Sequence, residues 1–274
     1  MPADLHIHSN FSDGIDTPEE IVKQAAVAGL KTIALTDHDT VAGIGAAEVA
    51  GLRSKVEVVP GIEFTTENPR SEVHILGYFV DRQNSELAEV LARIQQGRID
   101  RIYQIVKKLK GLGLEIEPDE VFALSGKNSP GRPHVARVLM RKGIVANFKE
   151  AFIRYLDFHA PAYVPHYRLL PAEAVKLVKR TGGIPVFAHP VVSNCDEIIP
   201  ELAAAGLRGL EIYYPGYYAD QIEHYLAIAA KHNLLATGGS DYHGGDIGRD
   251  LKLGDHTIPD ELADKLRNEH LRGN

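Results

Sequence analysis

Short apolar, β-branched runs recur along the chain at residues 5–7, 32–35, 56–62, 73–79, 184–188, 209–213 and 235–238, each of a length suited to a strand. Helical patterns fill the intervals. The first helix is marked at both ends: Thr17 as N-cap, Pro18 at the first helical position, Glu20 completing a capping box, and Gly29 as the stop. Residues 171–180, 197–205, 218–232 and 259–271 give further helices. Strands alternating with helices predict parallel βα units, because parallel neighbours must be joined by crossovers.

Residues 85–163 break this rhythm. They carry a long helical pattern over 87–112 and shorter ones over 118–124, 133–142 and 148–155, without a strand. The expected organisation is an α/β barrel built from 1–84 and 164–274, with 85–163 as a helical insertion forming a lid. A length of 274 residues suits one such barrel.

Composition narrows the chemistry. One cysteine, Cys195, excludes an internal disulfide framework and a cysteine-based zinc site, so any metal ligands must be His, Asp and Glu. No stretch is long and apolar enough to span a bilayer, and no signal peptide precedes the first strand. A cytoplasmic enzyme without an obligate protein partner or membrane contact is expected. The formal charge of −7 argues against a general polyanion-binding surface, but residues 93–142 hold eleven Lys/Arg against five acids, a local +6. That excess reads either as a solvated helical face or as a basic lid attracting an anionic substrate.

Candidate ligands fall where strands end, the position that catalytic groups take in a parallel barrel. His6 and His8 close the first strand, and their i, i+2 spacing aims both to one side. Asp13 follows in its loop, Asp37 and His38 end the second strand, and Glu63 the third. His74 lies in the fourth, His189 ends the fifth, and Asp241 and His243 follow the last. Taken singly, a histidine or carboxylate is usually structural. Six imidazoles and three carboxylates collected at one rim are too many for a single ion, and suit two or three borderline divalent ions such as zinc, manganese or ferrous iron.

The ordered motifs, H-x-H, T-D-H-D, P-G-I-E, A-H-P and S-D-x-H, resemble the PHP (polymerase and histidinol phosphatase) superfamily over nearly the whole chain. The insertion, with Ser129-Pro130-Gly131-Arg132-Pro133-His134 and then Ala162-Tyr163-Val164-Pro165, is similar to the branch of small bacterial nucleotide phosphoesterases. The resemblance implies a distorted (β/α)7 barrel and three ions. His6, His8, Glu63 and Asp241 would hold the first; Glu63, His74 and His189 the second; Asp13, His38 and His243 the third. It also implies hydrolysis of phosphomonoesters of small nucleotides (a nucleoside 3′,5′-bisphosphate or AMP), with short single-stranded RNA cut from its 5′ end as an extension. Arg132, with its planar fork, would bind the phosphate, and His134 would donate to it or protonate the leaving oxygen.

Competing readings stay open. Histidinol phosphate could be served by the same metal core. An amidohydrolase-type C–N hydrolase would use similar ligands but normally adds a metal-bridging lysine, and no strand-end lysine suggests itself. A metal-stabilised binding module would need every coordination position closed. Among secondary candidates, Asp37 and Asp39 are expected to hydrogen-bond imidazoles, His159 and His166 to be structural or to touch substrate, and the Tyr213, Tyr214, Tyr217 and Tyr218 cluster to pack at the barrel edge or stack on a base.

Overall fold

The first strand, β1 (Pro2–Ile7), is buried along almost all its length, although every second residue is polar. Ala3 and Leu5 join an apolar cluster with Leu76, Tyr78 and Val186, while Asp4 and His6 are enclosed with no exposed surface. A strand with both faces covered belongs inside a barrel wall. The computed structural model describes residues 2–68, 71–125, 129–165, 167–244 and 251–273; His166 lies outside them.

After β1 come α1 (Pro18–Val27), β2 (Thr32–Leu35), α2 (Ile44–Ser54), β3 (Glu57–Glu67) and β4 (Glu72–Tyr78). The helical stretch then holds α3 (Ser85–Gly111), α4 (Pro118–Ser125), α5 (Arg132–Arg141) and α6 (Phe148–Ala151), which runs on into a π-helical turn. The barrel resumes with α7 (Pro171–Arg180), β5 (Ile184–Phe187), α8 (Pro190–Ser193), α9 (Ile199–Ala205), β6 (Gly209–Tyr213), α10 (Ala219–His232) and β7 (Leu235–Gly238), and ends with β8 (Ile258–Pro259) and α11 (Asp260–Gly273). The capping box at Thr17 and Glu20 forms as expected. Helix α2, absent from the sequence-based reading, starts at Gly43 without a side-chain cap and contains two glycines, so it offers none of the usual starting signals.

Strands β1 to β7 lie side by side in chain order. The wall closes where Ile7 bridges Tyr242 just beyond β7 and the His8 N–H donates to the Tyr242 carbonyl at 2.8 Å. The barrel is thus mixed α/β, as anticipated, but not all parallel. β4 runs antiparallel to both β3 and β5, and β8 is a two-residue antiparallel edge on β1. The reason is chain length: only four residues separate β3 from β4, and a parallel crossover needs a dozen or more. Consequently β3 extends past its pairing with β2 into a hairpin, and Glu63 sits within the strand rather than after it.

Helix α3 joins two cores. Leu87, Leu91 and Ile94 pack in the barrel's outer core, whereas Ile102, Ile105, Val106 and Leu109 pack with α5 and the segment after it. Between these apolar halves stand Arg98 and Arg101, both buried.

Candidate metal centre

All nine residues singled out as ligands meet at the open end of the barrel. The Nε2 atoms of His6 and His8 lie 3.0 Å apart. Both face Glu63 Oε2, at 3.2 and 3.1 Å, and Asp241 Oδ1, at 3.4 and 3.2 Å. His38 Nδ1 approaches the same Glu63 oxygen at 3.2 Å. The other oxygen, Oε1, meets His74 Nδ1 at 2.8 Å and His189 Nε2 at 3.1 Å. Asp13 faces His243 Nε2 at 3.3 Å, and the His243 ring stacks on His8 with centroids 4.1 Å apart. Three sets of ligand atoms lie within 4.8 Å of one another: His6, His8, Glu63 and Asp241; His38, Glu63 and His74; and His8, Asp13, His38 and His243.

The donor set suits cations. Two imidazole nitrogens at 3.0 Å repel through their lone pairs unless a proton or metal ion lies between them. Among the described residues, the buried His8 Nδ1 and His189 Nδ1 find no hydrogen-bond partner. Burial opposes ionisation of Glu63, yet His38, His6 and His74 hold its pKa well below the usual carboxylate range. Burial likewise opposes a charge on His8 and His74, but the facing carboxylates raise them to about 10 and about 9. At His38 burial prevails and lowers the pKa to about 3.

A pH dependence follows. A folded pKa above the unfolded value of about 6.5 stabilises the fold fully below that pH and ceases to do so as pH rises through the folded pKa. Metal-free protein should therefore lose thermal stability between about pH 6.5 and 10, as the protons leave His74 and His8. Protein loaded with manganese, whose imidazoles are already deprotonated, should not. Melting temperatures measured across that range, with chelator and with metal, check this; identical profiles would show that the imidazoles do not exchange protons for metal.

The strand ends hold their ligands in place through buried partners. Glu211, on β6 and wholly enclosed, accepts from His6 Nδ1 at 2.8 Å and from the His189 backbone N–H at 2.8 Å. It thereby sets the tautomer that leaves His6 Nε2 free to ligate. Sequence reasoning missed it; the available signal was a lone acid inside the apolar run of β6. Asp37 and Asp39 do not serve imidazoles as expected. Asp37 accepts from the Ser9 N–H and from the Ser9 and Ser12 hydroxyls, and Asp39 pairs with Arg98 and accepts from the Thr65 N–H. Asp39, His189 and Asp241 all have positive φ, of 52°, 28° and 51°, a conformation that costs non-glycine residues about 1–3 kcal/mol each. Such a backbone persists only where its surroundings dictate it, and here it turns each chain sharply at the rim.

A cavity of about 250 Å³ opens over this cluster, lined by Asp13, His38, Glu63, His74, His189, Asp241 and His243 together with Arg98, Arg101, Arg132 and Arg168. Arg132 begins α5 and donates to both oxygens of Glu72, at 2.8 and 2.9 Å. Glu72 in turn lies 3.2 Å from His74 Nε2. His134 is set apart: it is 1% exposed, it does not line the cavity, and its Nδ1 accepts from the Gly131 N–H at 3.1 Å. Burial lowers its pKa to about 4, so it is neutral at pH 7. Of the tyrosines, Tyr214 lines the cavity and donates to Asp241 Oδ2 at 2.6 Å, whereas Tyr218 is largely exposed. His159 is exposed on the helical stretch.

The sequence matches the PHP domain family over residues 4–163. The chain belongs to that family. It is 33% identical over 257 residues to a 3′,5′-nucleoside bisphosphate phosphatase of Chromobacterium violaceum, covering 90% of each chain. It is 32% identical over 265 residues to a 5′-3′ exoribonuclease of Haemophilus influenzae, covering 93% of this chain and 96% of that one. A Bifidobacterium adolescentis structure assigned as a metal-dependent phosphoesterase superposes with a TM-score of 0.89 at 33% identity, over 96% of this chain and 94% of that one. As a PHP protein, the chain is a hydrolase of the metal-dependent phosphoesterase type. Among its described residues, no helix is long and apolar enough to cross a membrane.

Proposed function

We propose that this PHP protein binds two or three divalent ions, manganese, ferrous iron or zinc, and hydrolyses phosphomonoesters of small nucleotides in the cytoplasm. The observation that carries the reading is Glu63, whose two oxygens face different histidine sets: Oε2 faces His6, His8 and His38, and Oε1 faces His74 and His189. A carboxylate so placed can hold two cations at a fixed separation. His6, His8 and Asp241 would complete one site, His74 and His189 the second, and Asp13, His38 and His243 the third. When bound, such ions supply Lewis-acid polarisation of the phosphoryl oxygens and a nucleophile available at neutral pH.

The chain's own residues do the rest. Arg132 lines the cavity with its Nη2 donating to both oxygens of Glu72, a carboxylate that an incoming phosphate can replace as its partner. In this reading His134 holds the start of α5, its buried Nδ1 accepting from the N–H of the N-cap Gly131. The test is turnover of an aryl phosphate by manganese-loaded protein, followed by a screen of nucleoside bisphosphates, AMP, histidinol phosphate and short 5′-phosphorylated RNA. No cleavage of any phosphoester, with metal bound, would sink the reading.

Arg132→Ala should leave metal content unchanged and lower kcat/KM by roughly 10- to 1000-fold, about 1.4–4 kcal/mol of transition-state interaction. Arg132→Lys should recover only part, because an ammonium lacks the two-point geometry. Unchanged kinetics in both variants would reduce Arg132 to a structural partner of Glu72.

A further inference from the structure

The loop between β1 and α1 carries Asp13 and is held from two directions. The barrel holds its ends: Asp37 accepts from Ser9 and from the Ser12 hydroxyl, and the Ile15 N–H donates to the His243 carbonyl at 3.0 Å. Its middle is held by the helical stretch. The Ser129 N–H donates to the Phe11 carbonyl at 3.3 Å, the His134 ring donates to the Ser12 carbonyl, and Arg137 Nη2 donates to the Asp13 carbonyl at 2.6 Å. Three successive carbonyl oxygens thus find their donors within residues 129–137, in and just before α5. All three donor residues are buried. An enclosed donor left without its acceptor is costly, so the loop and this segment hold one another in place.

Arg137 takes the main-chain oxygen of Asp13, while the carboxylate faces His243 Nε2 at 3.3 Å, His8 Nδ1 at 3.8 Å and His38 Nε2 at 3.9 Å. The helical stretch also reaches the His38 side of this set. Arg98 donates to Thr65 Oγ1 at 2.9 Å, and Thr65 Oγ1 lies 3.2 Å from His38 Nδ1. By comparison, Glu211 and Tyr214, which meet His6 and Asp241, belong to the barrel. A carboxylate in the middle of a loop loses conformational freedom when it ligates, and pinning the carbonyls of residues 11–13 removes that freedom beforehand.

We propose that Arg137 and His134 are positioning residues for Asp13, so that the helical stretch completes the cation site of Asp13, His38 and His243, while the site of His6, His8, Glu63 and Asp241 does not depend on it. This rests on the reading of Asp13, His38 and His243 as a cation site. The helical stretch then belongs to the metal centre, and loosening its hold on the loop should cost one ion rather than all.

The experiment titrates the metal-free full chain with manganese(II) chloride and follows free ion by its electron paramagnetic resonance signal, with melting temperature as a control on the fold. Wild type should bind one ion more than Asp13→Ala. Arg137→Met should weaken that one site by about 10- to 100-fold and change the others by less than about threefold. Arg137→Lys, which restores a donor for the Asp13 carbonyl, should recover part of the loss. Adding Arg137→Met to Asp13→Ala should weaken manganese binding no further, because the arginine acts through the aspartate. A merely structural role would lower the melting temperature without singling out one site. Equal weakening of every site, or no weakening of the Asp13 site, overturns the proposal. Where Arg137→Met does not fold, Arg137→Lys decides alone: the Asp13 site should weaken by about 3- to 10-fold with the others unchanged, and no such weakening overturns it. If wild type and Asp13→Ala hold the same number of ions, the reading of Asp13 as a ligand fails and the proposal with it. If they differ and Arg137→Met matches wild type, the proposal alone fails.

Discussion

Glu63→Gln should bind less metal and lose at least about 1000-fold in turnover, the largest effect expected of any single substitution here. Both oxygens of Glu63 face imidazoles, Oε2 three histidines and Oε1 two more. An amide keeps the shape but replaces one anionic oxygen by an NH2 group. That group can donate to a neutral imidazole, so the metal-free variant should fold, but it cannot coordinate a cation. Metal analysis by mass spectrometry, alongside aryl phosphate turnover, separates loss of metal from loss of fold. Full metal occupancy with near-normal rates would show that the ions are not held through this carboxylate.

The second large effect is on stability. Arg98 reaches from α3 to Asp39 in the loop after β2 and ties the helical stretch to the barrel; the two residues are 7% and 0% exposed. Arg98→Ala strands Asp39 in the interior, and breaking one side of a buried pair typically costs about 3–5 kcal/mol. Replacing both partners, as Arg98→Met with Asp39→Asn, should recover much of that loss, because the cost comes from the uncompensated charge more than from the missing attraction. Urea denaturation of the single and double variants, in chelator, measures both quantities. A loss under about 1 kcal/mol for Arg98→Ala would mean that solvent reaches Asp39 and that the pair is not what ties the two parts together.

Much of the architecture lay open in the order of residues. The α1 cap, the polar–apolar alternation of β1 and the ligands at successive strand ends are local patterns, and local sterics and hydrogen bonding suffice to express them. The antiparallel β4 was not read from the sequence, because the apolar runs at 56–62 and 73–79 stand further apart than the strands do: β3 continues to Glu67, and the four residues then left before β4 are too few for a parallel crossover. Likewise, α2 gave no starting signal, and Glu211, Arg98 and His134 acquire their roles from elements distant in sequence or from burial.

By itself, then, the sequence determined which residue types could gather at the barrel's open end and that their chemistry suits divalent ions. Only the tertiary structure decided that Glu63 divides its oxygens between two histidine sets, that Arg132 rests on Glu72, and that His134 is enclosed. The physical reason is range. Periodicity along the chain tells which face a side chain takes, but the partner that meets it there, and the water removed in the meeting, come from segments up to 236 residues away.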